Sequence, residues 1–266
     1  MYLTDYHSHS SCSHDGHVTM HVMAEAACKL GISELCITDH CDLLDGEGGW
    51  SPAYDWAPVL EQYAEAKDAL RGRMEVKLGV ELGNASVDWA AARTALAQPA
   101  LDFVIGSIHC WAVENGGTDY YFGTYDTPEK CARTLEDYFG QMEELVSAPD
   151  CYDVLGHIIY PIRYMNRDGQ NPSLAPYEER IRAILRRAAE QGRGMEVNTY
   201  RGRTIEEYRP LLNWFKECGG EVVTVGIDAQ QTEQLAGHRE AYALLEDCGF
   251  RYVATFEKRK PRMIKL

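Results

Sequence analysis

The chain has 266 residues, 45% of them hydrophobic and 25% charged, with 23 Gly and 10 Pro. These ordinary proportions exclude collagen, low-complexity disorder and a disulfide-stapled miniprotein. Its 26 basic and 41 acidic residues leave a net charge of −15, which argues against nucleic acid or an anionic membrane as partner, since both attract Lys and Arg.

The N-terminal run at 2–6 passes straight into His7-Ser8-His9, with no basic or apolar leader ahead of it. Further apolar runs follow at 34–38, 76–80, 103–108, 152–155, 195–197, 222–227 and 252–256. They are rich in Val, Ile and Leu, as buried parallel strands are. Amphipathic stretches separate them: Val59, Leu60, Tyr63, Ala66 and Leu70 share one helical face, and Ile181, Ile184, Leu185 and Ala188 share another. Thr127-Pro128-Glu129 predicts a capped helix start, and Thr204-Ile205-Glu206-Glu207 predicts a capping box. No apolar stretch approaches the ~18 residues of a membrane span. The nine cysteines sit singly, with no C-x-x-C, and read as reduced thiols of a cytoplasmic protein. With no linker, repeat or glycine fingerprint, repeated strand–helix units predict one α/β domain over 1–266, closed as a barrel.

Nearly every apolar run ends in a residue type that binds metals. His7 and His9 follow the first run, Asp39 and His40 the second, and then come Glu81, His109, His157, Glu196 and Asp228. In a parallel barrel these ends share one mouth, where barrel enzymes keep their chemistry. Several buried histidines and carboxylates there would each cost several kcal/mol without partners, and divalent cations supply partners. Imidazole and carboxylate without clustered thiolate suits Zn, Mn or Fe. Six or more ligands exceed one tetrahedral shell, so two or more ions are expected. Glu81 is the natural bridge because its two oxygens can serve different ions. Two ions close together can hold a hydroxide and clamp both ends of an in-line displacement.

Asp5-Tyr6-His7-Ser8-His9, Thr38-Asp39-His40, Gly79-Val80-Glu81, Gly106-Ser107-Ile108-His109, Gly156-His157 and Gly226-Ile227-Asp228-Ala229 resemble the ordered metal motifs of the polymerase and histidinol phosphatase (PHP) superfamily. Asp153-Val154-Leu155-Gly156-His157, Glu196-Val197-Asn198-Thr199 and Leu245-Glu246-Asp247-Cys248-Gly249-Phe250 look most like its monofunctional histidinol-phosphatases. The resemblance implies a distorted (β/α)7 TIM-like barrel, two or three divalent metal ions (Zn, Mn or Fe), and hydrolysis of L-histidinol phosphate in histidine biosynthesis. It implies a first metal on His7, His9, Glu81 and Asp228, and a second on Glu81, His109 and His157. A third would use Asp15 and His40, with Gln230 standing where the family usually has His. Glu81 and Asp228 are the expected catalytic groups.

For a phosphorylated small molecule approaching an acidic protein, Arg163 is the first expected phosphate clamp and Arg201 the second, because guanidinium binds phosphate oxygens bidentately. Asp228 and His238 are candidate proton donors to the leaving group, with His238 also counted among the substrate-binding residues. His14, His17 and His21 read as loop histidines. The connection 110–148, with Trp111 and Tyr120-Tyr121-Phe122, reads either as an aromatic lid or as a structural insertion. The stretch Trp50-Ser51-Pro52 reads as a solvated loop in preference to a second rim of the site. The competing functions are a PHP-type phosphoesterase acting on nucleotides or another small monoester, an amidohydrolase, and a metal-binding protein without catalysis. An amidohydrolase usually bridges its metals with a carboxylated Lys, and no Lys ends a central run here.

Overall fold

The computed structural model describes residues 1–266. Parallel strands β1 (Leu3–Asp5), β2 (Ile32–Ile37), β3 (His40–Asp42), β4 (Glu75–Gly83), β5 (Phe103–Ser107), β6 (Val154–Leu155), β7 (Gly194–Asn198) and β8 (Val223–Gly226) form one sheet. The order is β1-β2-β4-β5-β6-β7-β8, and β3 pairs with β4 just beyond the end of β2. Three backbone hydrogen bonds of 2.8 Å, from Tyr6 to Val225, Asp228 to His7 and His9 to Ala229, join the two ends of this path. The result is a distorted (β/α)7 barrel. Because all its strands pair parallel, every strand's carboxyl end lies at one mouth.

Helices α1 (Met20–Lys29), α2 (Trp56–Ala69), α3 (Trp89–Ala95), α4 (Pro128–Leu145), α5 (Tyr160–Arg167), α6 (Glu178–Glu190), α7 (Tyr208–Glu217) and α8 (His238–Asp247) surround it. Their apolar stripes join the outward strand residues in a core of 64 buried residues. On α6 that stripe is Ile181, Ile184, Leu185 and Ala188, all buried. Thr127 caps α4 through Lys130 N–H, with Pro128 in the first turn. Much of the connection 110–148 is therefore this helix, and only the segment before it is free to shape the mouth.

Three expectations are corrected. The run at 252–256 is not a barrel strand: β9 (Tyr252–Glu257) turns back through Lys258 and Arg259 to pair antiparallel with β10 (Lys260–Lys265). Both turn residues have positive φ, 49° and 62°, which suits a two-residue hairpin. The ring is already closed by β1 and β8, so this hairpin caps its amino-terminal mouth instead. Phe256 and Ala254 pack there with Tyr6, Cys36, Phe103, Ile105 and Val154. The capping box also fails: α7 starts at Tyr208 without a side-chain cap, and the Thr204 hydroxyl donates to Asn198 O at 3.0 Å. Finally, Arg163, which by its spacing of six residues from His157 reads from sequence as part of the same loop, sits in α5 instead. No helix is long and apolar enough to cross a membrane.

Candidate metal centre

Glu81 lies near the end of β4, 1% exposed, and is approached on both oxygens. Its Oε1 accepts from Ser107 Oγ at 2.7 Å and faces His157 Nε2 at 2.7 Å and His109 Nε2 at 3.0 Å. Its Oε2 faces His7 Nε2 at 3.1 Å, His40 Nδ1 at 3.3 Å and His9 Nε2 at 3.6 Å. One carboxylate thus faces a different set of imidazoles with each oxygen. Asp228 Oδ1 lies 3.5 Å from His9 Nε2 and 3.9 Å from His7 Nε2. Asp15 Oδ2 lies 3.6 Å from His40 Nε2.

Several rings are also held from behind. His7 Nδ1 is 2.6 Å from Glu196 Oε1, His109 Nδ1 is 2.6 Å from Asp42 Oδ1, and His9 Nδ1 is 3.3 Å from Ser13 Oγ. Such contacts fix the tautomer and aim the other nitrogen. Neither Asp42 nor Glu196 was assigned a role from sequence. Asp42 is hidden in an acidic stretch, and Glu196, in the middle of β7, has the same residue type as a ligand. Glycine supplies the missing signal: a Cβ at Gly83 would stand 1.7 Å from Asp42 Oδ1, and one at Gly226 would stand 2.2 Å from Glu196 Oε1. Both carboxylate–histidine pairs occupy space that only glycine leaves open.

The inward-facing atoms are short of partners. His7 Nε2, His9 Nε2, His40 Nδ1 and Asp15 Oδ1 are buried without a hydrogen bond, at a cost of about 1–3 kcal/mol each. The ligand atoms of His7, His9 and Glu81 lie within 4.8 Å of one another, as do those of His9, Asp15 and His40, and those of His40, Glu81 and His109. Orphaned donors of imidazole and carboxylate type, gathered this closely, fit divalent ions such as Zn, Mn or Fe.

Electrostatics gives the same picture. Burial opposes charge on Glu81, yet His7, His109 and His40 hold its carboxyl well below the usual range. Burial likewise opposes charge on Asp228, and Arg163 and His7 overcome it. That suits Asp228 as a ligand and proton acceptor rather than as the proton donor expected from sequence. At His109 burial disfavours the imidazolium, but Asp42 and Glu81 push the pKa up to about 10. His157, where burial dominates, is lowered to about 4.

A cleft of about 1510 Å³ opens above the cluster, lined by Asp15, His40, Glu81, His109, His157, Arg163, Arg201, Asp228 and Gln230. His7 and His9 lie beneath its floor, fully buried. Arg163 donates to Asp228 Oδ2 at 2.8 Å and to Asn198 Oδ1 at 2.7 Å, and its guanidinium lies 4.3 Å from the Tyr200 ring centre. Arg201 Nε reaches Asp228 O at 3.4 Å. Asp228, Tyr200 and Arg201 all have left-handed backbone, with φ of 62°, 44° and 62°. This is strain of the kind stored at functional sites. Trp50 and Pro52, read from sequence as a solvated loop, line the rim with Tyr121 and Phe122.

Two predicted residues are placed differently. Gln230 lines the cleft, but its amide donates to Asp228 Oδ1 and O, both at 3.3 Å, and His9 joins Asp15 and His40 without it. His238 is buried outside the cleft, where its Nε2 lies 3.2 Å from Asp5 Oδ2. Asp5 also accepts from His7 N at 3.1 Å and Ile227 N at 3.2 Å. His238 therefore braces the junction of β1 and β8 and does not reach substrate.

Comparison with known proteins agrees with this geometry. A family model described as PHP domain matches residues 5–200. The chain is 27% identical to a histidinol-phosphatase of Lactococcus lactis, over 96% of this chain and 95% of that protein. The crystal structure of histidinol phosphate phosphatase from L. lactis, complexed with Zn, L-histidinol and phosphate, superposes with a TM-score of 0.85 at 24% identity and covers 98% of each chain. A TM-score of 0.50 at 16% identity relates the fold to metal-dependent tyrosine phosphatases of Bacillus subtilis and Streptococcus pneumoniae, over 92% of this chain and 87% of theirs.

Proposed function

The chain belongs to the PHP domain family, and from that membership we propose that it is a metal-dependent histidinol-phosphatase. It hydrolyses L-histidinol phosphate to L-histidinol and phosphate, the reaction named for its L. lactis relative. The observation that carries this reading is Glu81, whose two oxygens each face a different set of histidines beneath a cleft that also holds two arginines. Residues 1–266 act as one catalytic domain. The free cysteines and the absence of a spanning helix fit a cytoplasmic enzyme.

His7, His9, Glu81 and Asp228 would hold one ion, and Glu81, His109 and His157 a second. His9, Asp15 and His40 offer a third position that Gln230 does not complete. Bound there, divalent ions supply Lewis acidity, lowering the pKa of a water towards ~7 and neutralising phosphoryl oxygens. The chain's own groups do the rest. Glu196 and Asp42 keep His7 and His109 in the tautomers that present Nε2 inward. Asp228, held ionised by Arg163, is placed to accept a proton from the attacking water. Arg163 is preset by Asp228, Asn198 and Tyr200, and offers its guanidinium to phosphate oxygens at the cleft floor.

The test is metal analysis of the purified protein paired with phosphate release from L-histidinol phosphate, nucleoside monophosphates and phosphotyrosine. The expected result is two or three ions per chain and fastest release from L-histidinol phosphate. Metal uptake without release from any ester would sink the enzymatic reading, and faster release from a nucleotide would replace the substrate. A Gln230→His variant should bind the third ion more tightly.

A further inference from the structure

One histidine at the open end of the cluster has no partner and no role so far. His14 lies on the loop between β1 and α1, is exposed, and lines the cleft. It forms no ion pair, whereas His7, His9, His40, His109 and His157 all face carboxylates. The loop is pinned just ahead of it. The Ser13 hydroxyl donates to Asp39 Oδ1 at 2.9 Å and accepts from His40 N at 2.9 Å. Gly16 lets the loop close, since a Cβ there would stand 1.8 Å from Ser10 O. The result sets the His14 ring 4.9 Å from that of His40, with 31° between their planes, while His9 stacks on His40 at 4.4 Å and 25°. Three imidazoles thus lead from the buried floor at His9 out to the open cleft at His14.

The ligand atoms of His14, His40 and Asp42 lie within 4.8 Å of one another. Donors on one tetrahedral zinc stand roughly 3.3 Å apart, so a small turn of the exposed His14 side chain brings the three into range. His40 Nδ1 is buried without a hydrogen bond, 3.1 Å from Asp42 Oδ2. Asp42 keeps that oxygen available because it holds His109 with the other one. Gln230, meanwhile, commits its amide to Asp228 and leaves the inner group of His9, Asp15 and His40 without a fourth member.

We propose that His14 is a metal ligand: with His40 and Asp42 it forms an outer position for the third ion, in place of the inner one that Gln230 leaves incomplete. Two imidazoles and a carboxylate suit Zn, Mn or Fe. Because His14 faces solvent, this ion is the first to leave. The proposal rests on the reading of the protein as a metal enzyme and is independent of which ester it cleaves.

The experiment titrates zinc into the stripped protein and counts bound ions, for wild type, His14→Ala, Gln230→His and the double variant. Wild type should hold two ions tightly and a third more weakly. His14→Ala should weaken the third about 100-fold, the upper end of what losing a partner behind a ligand costs, and spare the first two. Gln230→His completes the inner position, so His14→Ala should have little effect in that background. With cobalt at the third position, the visible spectrum should change on His14→Ala, which loss of a bystander would not cause. Equal third-ion affinity in wild type and His14→Ala overturns the proposal, as does a wild type that saturates at two ions. Three ions sensitive to His14 but no phosphate release would sink the enzymatic reading and leave this assignment standing. If His14→Ala loses all its ions, His14→Gln decides: it should weaken the third alone, and loss of all three again overturns the proposal.

Discussion

The two mouths of the barrel bury charged groups equally well and treat them in opposite ways. At the amino-terminal mouth every buried carboxylate is matched. Asp153 pairs with Arg193 at 2.9 Å and Arg259 at 3.1 Å, and accepts from Val104 N at 2.9 Å. Glu34 accepts from the hydroxyls of Tyr2 and Tyr6, and Asp102 from Lys258 N at 3.0 Å. Phe256, Phe103 and Tyr6 fill the space between. At the carboxyl-terminal mouth the counterparts of these groups are left open: His7 Nε2, His9 Nε2, His40 Nδ1 and Asp15 Oδ1 have no hydrogen bond. Burial of polar groups does not by itself mark a site, since it is common to both mouths. What distinguishes the working mouth is a cluster of imidazole and carboxylate atoms buried together without hydrogen bonds, which stability alone would select against. The other mouth leaves only scattered atoms such as Arg193 Nε and Thr255 Oγ1 unpaired.

Substitutions at each mouth should therefore fail in different ways. Glu81→Gln should have the largest effect. It keeps the shape but removes the charge shared by both sets of imidazoles, so activity should fall on the order of 10³-fold, equivalent to several kcal/mol of transition-state stabilisation. Metal content, measured on the same preparation, should fall with it; full metal content with intact activity would show that Glu81 bridges nothing. At the opposite mouth Phe256→Ala should cost about 3–5 kcal/mol of stability. It should leave metal content and the activity of the folded protein near wild type, as denaturant titration and metal analysis would show. Loss of metal from a still-folded Phe256→Ala protein would mean the two mouths are not independent.

The sequence exposes the working mouth more readily than the structural one, and the reason is physical. Ligand types at the ends of Val- and Ile-rich runs are a pattern in one dimension, so His7, His9, Glu81, His109, His157 and Asp228 could be brought together through barrel topology alone. Partners that act from behind a ligand need only be near it in space. Asp42 reaches His109 across β3 and β4, 67 positions apart, and nothing local to Asp42 announces it. His238 shows the reverse: its chemistry invited a role at the substrate, but the turn at Gly237, with φ of 94°, starts α8 against Asp5. The closing hairpin was missed because β10 reads Lys-Pro-Arg-Met-Ile-Lys, too charged for a core strand. It is instead an outer strand whose partner, β9, carries the apolar side chains.

Smaller effects sharpen the contrast. Asp42→Asn retains the contact to His109 Nδ1 but weakens its hold, so metal affinity should drop about 10- to 100-fold, read by competition with a chelator. An unchanged affinity would make Asp42 a bystander. Arg163→Ala should mainly raise KM for the phosphate ester, by about tenfold. An unchanged kcat/KM would remove Arg163 from the site.

The subtlest test removes the metal and varies pH. In the stripped protein Glu81, Asp42 and Asp15 pair with imidazolium, while Asp228 also has Arg163. Burial works against these cations, but carboxylates outweigh it at His7 and His40, and His109 is raised from 6.5 to about 10. A pKa that is higher in the folded state means the folded protein binds more protons than the unfolded chain between those values. The contribution to stability is therefore complete below pH 6.5 and lost as pH rises towards about 10. Glu81 and Asp228 have the opposite sign: depressed in the folded state, they stabilise it above their ordinary values of 4.5 and 3.8, and that is lost only in stronger acid. Zinc needs the imidazoles deprotonated, so the rise in Tm on adding zinc should grow over the window in which the stripped protein weakens. Remote groups titrate alike with and without metal, so the difference between the two Tm curves isolates this mouth. A difference that stays flat from pH 6.5 to 10 would mean the cluster holds no protons for a metal to displace, and that its histidines are not paired as the geometry places them.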